Sequence, residues 1–372
     1  MMVAQILDVK CFLTESFCAA GCIPGTKDHE FTIYILETNP WPRPVAVYGY
    51  DDTFGVIGDP FEAETTCAMH DGKSLGMGQI ASDGCNNLAF WSQTPITTPI
   101  SQNPPPPPSP YNPKRTYVAL VVGDGDNVNY NKGGHYSWME DRVSRCAAGG
   151  DRSKTCFPLL WSISPHLLKL APEWLLWYAR QCRVTGQDWL VLPPSGDLYA
   201  YPSLLTPADQ ENFVANTERD CELLSTSATV AWEWFGTWAG AIKDYFPRYG
   251  VRGVVKCLFA TNVPYPIPVL EFEAGEFYKT FNKSTVLFRP REWRGIANAS
   301  IPFRNAVCSP AQLAHEISHT YPRGSVAHVY LTSDGGASLD SLYQLVALLD
   351  EHVSVVDHET LATMALQRDE FL

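Results

Sequence analysis

The sequence predicts an α/β protein whose C-terminal part is a (β/α)8-type barrel, preceded by a small α/β N-terminal segment. Three observations carry this expectation. Five consecutive prolines, Pro104 to Pro108, followed by Ser109-Pro110, interrupt the chain. Such a run prefers extended polyproline II and builds no core of its own. Beyond it, eight apolar, β-rich runs alternate with helical patterns, and that alternation implies parallel strands joined by right-handed crossovers. The stretch 113–372 also has about the size of an eight-unit barrel, which is roughly 250 residues. Three regions are therefore expected: 1–100 as a partial N-terminal region, 101–112 as a Pro-rich linker, and 113–372 as the barrel. A doubly wound open sheet shows the same alternation and stays open as an alternative.

The N-terminal region reads as α/β from Phe31–Leu36 and Val45–Tyr50, both β-rich and bounded by turn residues. In the larger unit the strand runs are 117–122, 157–163, 189–192, 229–235, 253–259, 285–288, 326–331 and 353–356. Helix starts lie between them. Pro172 sits in a first turn, where its missing N–H costs nothing. Thr206-Pro207-Ala208-Asp209 is a cap followed by proline and an acid. Ser309-Pro310-Ala311-Gln312 has the form of a capping box. Residues 338–349 are amphipathic ahead of the last strand.

Composition narrows the function. The net charge of −13 argues against nucleic acid, which calls for a basic surface. No apolar run approaches the roughly 20 residues that span a bilayer. The first residues, Met1 to Asp8, lack a basic n-region, so a signal peptide is expected to lie outside this sequence. Eleven cysteines without paired C-x-x-C units favour disulfides over a zinc site. Cys146 and Cys156 flank a polar loop and are expected to be bonded, leaving an odd cysteine elsewhere. The sequons Asn282-Lys283-Ser284 and Asn298-Ala299-Ser300 agree with a secreted glycoprotein. Eleven Trp residues suit a chain that stacks flat sugar rings.

In such folds chemistry belongs at the C-terminal ends of the strands. The first run ends in Gly123-Asp124-Gly125-Asp126-Asn127, with its two acids two residues apart. The second ends in Trp161-Ser162-Ile163-Ser164-Pro165-His166. The third is followed by Ser195-Gly196-Asp197-Leu198-Tyr199-Ala200-Tyr201-Pro202. The fourth carries Glu233 between Trp232 and Trp234. Glu292 follows the sixth, and Asp334 the seventh. Carboxylates beside aromatic platforms are what hydrolysis of a glycosidic bond requires. Asp124, Asp126 and Glu233 are the expected catalytic acids. Glu233 is the general acid, because apolar surroundings favour its protonated form. Asn127, Trp161, His166, Ser195, Asp197, Tyr199, Tyr201, Glu292 and Asp334 are expected to contact substrate.

The run 117–127, the Trp-Ser-Ile-Ser-Pro segment and Gly196-Asp197-Leu198-Tyr199-Ala200-Tyr201-Pro202 together resemble the GxGYxYP family of glycoside hydrolases, in order and in spacing. Residues 45–90, ending in Asn86-Asn87-Leu88, look like the end of that family's N-terminal region. The eponymous motif departs at its second glycine, which is Leu198 here. The resemblance implies a carbohydrate substrate and hydrolysis of O-glycosyl bonds, and neither cofactor nor catalytic metal is expected. Two rivals remain: a non-catalytic glycan-binding protein, and a metal-dependent hydrolase with Asp124, Asp126 and His166 as ligands. His315-Glu316-Ile317-Ser318-His319 matches H-E-x-x-H, but its helix ends at the face opposite the chemistry. Its histidines are expected to bind no metal and to serve helix packing or the helix terminus.

Overall fold

The computed structural model describes residues 43–48, 77–80, 92–94, 100–126, 128, 134–233, 236–262, 271–295, 306–332 and 337–371, together with Lys27, Glu30, Tyr34 and Thr38. The fold is mixed α/β. In the N-terminal region β1 (Val45–Tyr48) pairs in parallel with β2 (Met77–Ile80). Tyr34, inside the expected strand 31–36, is instead helical, as are Lys27, Glu30 and Thr38. Phe31, Tyr34 and Ile35 recur at i, i+3 and i+4, a period that a short apolar run shares with helix.

The larger unit is built on ten further strands: β3 (Thr116–Val122), β4 (Leu159–Ser162), β5 (Asp188–Val191), β6 (Ala228–Trp232), β7 (Cys257–Thr261), β8 (Tyr278–Phe281), β9 (Thr285–Phe288), β10 (Glu292–Trp293), β11 (Val326–Leu331) and β12 (Val353–Val355). One sheet runs β10-β11-β3-β4-β5, with β12 also on β3, and a second runs β6-β7-β9-β8. A parallel bridge between Leu192 and Thr229 links their edges. All pairs are parallel except β8 with β9.

All eight expected runs contain strands, but the expected eight-membered order does not appear. In that order the last strand would lie between the seventh and the first. Here β11 pairs directly with β3 from Tyr117 to Val122. β12 pairs with Thr116–Val118, on the edge that β4 takes higher up at Val121 and Val122. A strand of three residues fits the part of that edge which β4 leaves open. The hairpin strand β8 was not anticipated.

The alternation along β3 divides the interior in two. Val118, Leu120 and Val122 join Leu159, Trp161, Leu190 and Leu258 in a core shared with the flanking helices α1 (Gly134–Ala147), α2 (Pro172–Thr185), α3 (Pro207–Leu223), α4 (Pro310–His315) and α5 (Leu339–Leu348). Tyr117, Ala119 and Val121 join Leu160, Val191, Val230, Phe259, Val286, Phe288 and Tyr330 in a second core. The helix α6 (His358–Phe371) completes it with Leu361, Ala362, Met364 and Ala365, whose spacing places them on one face.

Local signals in the sequence act as expected. Ser309 and Gln312 form both halves of the capping box. The Thr206 hydroxyl accepts from the Asp209 N–H. Cys146 and Cys156 are bonded, and closing a loop this short stabilises by roughly 3 kcal/mol in the chain-entropy model. Cys182, Cys221, Cys257 and Cys308 are free thiols. Cys11, Cys18, Cys22, Cys67 and Cys85 lie outside the described residues, as does the Asn298 sequon. The Pro-rich stretch is extended and mostly exposed but anchored at its start. The Gln102 amide donates to the carbonyls of Leu190 and Leu224 at 3.1 and 2.6 Å, and Trp189 Nε1 donates to Asn103 O at 2.9 Å. Gln102 thus satisfies backbone of β5 where β6 diverges from it.

Candidate active site

Trp232, Thr261 and Tyr330 continue the inward-facing positions of β6, β7 and β11, two residues beyond Val230, Phe259 and His328. With Asp124, Asp126, Pro194 and Tyr199 they line a narrow cleft at the C-terminal ends of the strands. It is tight, with a volume of only about 20 Å³, and it opens to solvent. The turn after β3 puts the two acids there. Strand geometry stops at Val122, so the shared side of Asp124 and Asp126 does not come from strand alternation. Asp124 has φ 61°, a left-handed conformation. Its N–H donates to the Tyr330 hydroxyl at 2.9 Å. A side chain at Gly123 would collide with the Tyr330 ring, and one at Gly125 with the Ser162 carbonyl. Both glycines are therefore required by close approach. The Gly125 N–H donates to Ser162 Oγ at 2.9 Å, and its carbonyl accepts from the Ser164 N–H at 2.9 Å.

Asp126 keeps some exposed surface, yet enough protein surrounds it that burial pushes its carboxyl up to about 7, against a hydrogen bond from its own backbone. Glu292 stands behind Thr261. It accepts from Thr261 Oγ1 at 3.0 Å and from the Asn262 N–H. Tyr330 is fully buried, and its phenol is held well above its usual range by that burial and by the charges of Asp124, Asp126 and Glu292. These four side chains form one electrostatic group. Tyr199 stacks on Trp232, with centroids 4.3 Å apart and planes at 16°, and Tyr201 lies 4.2 Å from the same ring.

The remaining expected site residues lie elsewhere. Glu233 turns away from the cleft. Its carboxylate accepts from the Ser203 N–H at 2.9 Å, the Ser203 hydroxyl at 2.6 Å and the Thr237 hydroxyl at 3.3 Å. Burial pushes it up to about 8 despite these bonds, and it does not line the cleft that holds Asp124 and Asp126. Trp161 faces the helical layer and donates to Asp188 at 2.8 Å, beside the buried Arg142–Asp188 pair. It offers no platform at the cleft. Ser195 Oγ lies 2.7 and 2.9 Å from the carbonyls of Ala200 and Trp232 and shares its one hydrogen between them, and so fixes the loop that carries Tyr199. Asn127 and Asp334 lie outside the described residues. Leu198 occupies the place of the expected motif glycine. It packs where a side chain at Gly78 of β2 would collide with it, so the small residue stands on the opposing strand.

His166 and Asp197 belong to a second, wider cleft between Pro165–Lys169 and α3, which Asp220 and Arg219 also line. His166 Nε2 lies 2.9 Å from Asp197 Oδ1, and Asn216 donates to Asp197 Oδ2 at 3.1 Å. Burial alone would raise Asp197, but His166 and the hydrogen bonds from Asp220 and Asn216 hold it low. Burial and the Asp197 charge push Asp220 up to about 8. Tyr330, Thr261 and Asp220 were missed in the sequence. The alternation Val326, His328, Tyr330 was the available signal for the first.

The H-E-x-x-H segment pairs Glu316 with Arg291 at 2.8 and 2.6 Å. Both histidines are exposed on α4 and the wider helical turn Glu316–Thr320 that follows it. Among the described residues no group of three or more His, Cys, Asp or Glu is arranged to hold a metal ion. No helix among them is long and apolar enough to cross a membrane.

No curated protein matches the chain. A crystal structure of a putative hydrolase from Bacteroides thetaiotaomicron VPI-5482 has a similar fold, with a TM-score of 0.71 and 19% identity. The similarity covers 92% of this chain and 60% of that one, so this chain spans less than two-thirds of that protein's length. Residues 114–255, which carry Asp124, Asp126, Tyr199 and Trp232 but neither Glu292 nor Tyr330, match the family model described as the GxGYxYP putative glycoside hydrolase C-terminal domain.

Proposed function

We propose that residues 113–372 act as a glycoside hydrolase, with Asp126 as general acid and Asp124 or Glu292 as its ionised partner. One observation carries the reading: a cleft at the strand ends where Asp124 and Asp126 face a Tyr199–Trp232 wall, with Glu292 one hydrogen bond behind Thr261. In this reading the strands close into a seven-membered ring, because the bent chain from β9 to β10 reaches from β7 to β11. The described residues lining the cleft include no cation. A carboxyl poised near 7 is half protonated at neutral pH, which suits proton donation to a leaving-group oxygen. The glycosidic C–O bond then breaks as the proton arrives. The ionised carboxylate either attacks the anomeric carbon or takes a proton from the water that does. Asp334, which follows β11, is the reserve partner.

Glu233 in this reading is a buried protonated group that holds Ser203, and with it the turn bearing Tyr201. The Cys146–Cys156 disulfide supports an oxidising compartment, and we place the protein outside the cell. The test is turnover of a panel of glycans by wild type, Asp126→Asn and Glu292→Gln. Cleavage that is lost in Asp126→Asn supports the reading. Cleavage unchanged in both variants refutes the assignment, and binding without cleavage turns the protein into a glycan-binding module.

A further inference from the structure

We propose that the Tyr330 hydroxyl is a substrate-binding donor, giving its hydrogen to a sugar hydroxyl held beside Asp124 and Asp126 in the cleft. The proposal rests on the glycoside hydrolase reading and adds a specific contact to it.

A phenol has one hydrogen to donate and lone pairs that accept. The Tyr330 oxygen already accepts from the Asp124 N–H at 2.9 Å. No carboxylate, carbonyl or hydroxyl among the described residues receives its hydrogen. The side chain is 0% exposed, so bulk water does not satisfy it, yet it lines the cleft. A buried donor of this kind needs a partner, and the space in front of it is the cleft itself. The incoming N–H of Asp124 occupies one side of the oxygen and limits the directions left for the O–H.

The neighbours decide what the partner is. Asp124, Asp126 and Glu292 all act on the phenol electrostatically. An ionised partner such as Asp124 only accepts hydrogen bonds, whereas the protonated Asp126 gives its proton to the leaving-group oxygen. A sugar hydroxyl both donates and accepts, so it can give its hydrogen to a carboxylate while receiving that of Tyr330. The carboxylates also oppose loss of the phenolic proton, which keeps Tyr330 a donor across the working pH range. Gly123 serves the same end, since any side chain there would displace the ring.

The experiment uses a hydrolysable glycan found with the wild type and its series of singly deoxygenated analogues, with Tyr330→Phe beside the wild type. For one analogue, wild-type kcat/KM falls about ten- to hundredfold, the loss expected when a buried donor goes unpaired. Tyr330→Phe shows that loss on the parent glycan and no further loss on that analogue. A merely structural role predicts a different pattern, in which the variant is weaker but discriminates as the wild type does, and this would overturn the proposal. A wild type indifferent to every deoxygenation overturns it without any variant. If glycans bind but are not cleaved, the same scan is read in Kd, and hydrolysis fails while Tyr330 is still tested. Wild type that neither cleaves nor binds any glycan overturns both.

Discussion

At the ends of β3 and β11, Asp124 and Asp126 stand beside a phenol and two aromatic rings. Behind β5, Asp197 and Asp220 stand beside a histidine and an asparagine. Asp124, Asp126 and Asp197 follow parallel strands while Asp220 sits on α3, and both groups gather acids. In the first, Asp126 has no counter-ion among the described residues and is pushed up by burial. In the second, the acids resolve into a pair, one low and hydrogen-bonded to His166 and Asn216, the other raised beside it. A carboxylate whose partners are all protein groups reads as structure. One whose surroundings raise its pKa while leaving it facing a cleft reads as chemistry. The inward register of the strands, more than the number of acids, separates the two.

The contrast breaks first on activity. Asp126→Asn should lower kcat/KM at least about hundredfold, the usual contribution of a general acid, while Asp197→Asn leaves the value per folded molecule within a few fold. Equal losses would erase the distinction.

Stability should show the reverse. Asp197→Asn removes one partner of a buried pair and should cost roughly 3 kcal/mol in urea unfolding, with Asp126→Asn neutral or stabilising.

The pH profile sharpens the comparison further. Asp126 must be protonated to donate, and its folded pKa is raised to about 7. kcat/KM should therefore fall as pH rises through about 7, and the profile of Asp197→Asn should keep the same limb.

The smallest effect concerns Glu233. Its pKa is raised to about 8 in the folded protein, so the folded state binds its proton more tightly than the unfolded state. Stability from this group is present at acid pH and declines as pH rises from the unfolded value towards about 8. Glu233→Gln should flatten that decline and add about 1 kcal/mol near pH 8, read as a rise in Tm.

Much of the fold was legible because it is written locally. Caps at Thr206 and Ser309, the Cys146–Cys156 loop and the β-branched run of β3 each act within a few residues. The place of β12 was not legible, since it depends on how much of the β3 edge β4 occupies. Asp124 and Asp126 were found from their glycines, although through a turn and not through the strand spacing first invoked. Glu233 misled because flanking tryptophans in sequence do not reveal which side of a strand a residue faces. Trp161 misled for the same reason, its indole spent on Asp188. Tyr330 stayed hidden because its role comes from Asp124, a residue distant in sequence.

The face of α6 that closes the inner core has a consequence for how the molecule assembles. Leu361, Ala362, Met364 and Ala365 pack with residues of β3, β7, β9 and β11, so the enclosed core joins segments from both ends of the 113–372 unit. Contacts so distant along the chain form slowly, because long loops must close before any burial rewards them. Until that helix docks, the inward faces of these strands stay wet, and an intermediate with exposed valine and phenylalanine is prone to self-association. Refolding yield should therefore fall with protein concentration, and a synthetic peptide of α6 added in trans should compete for the vacant groove.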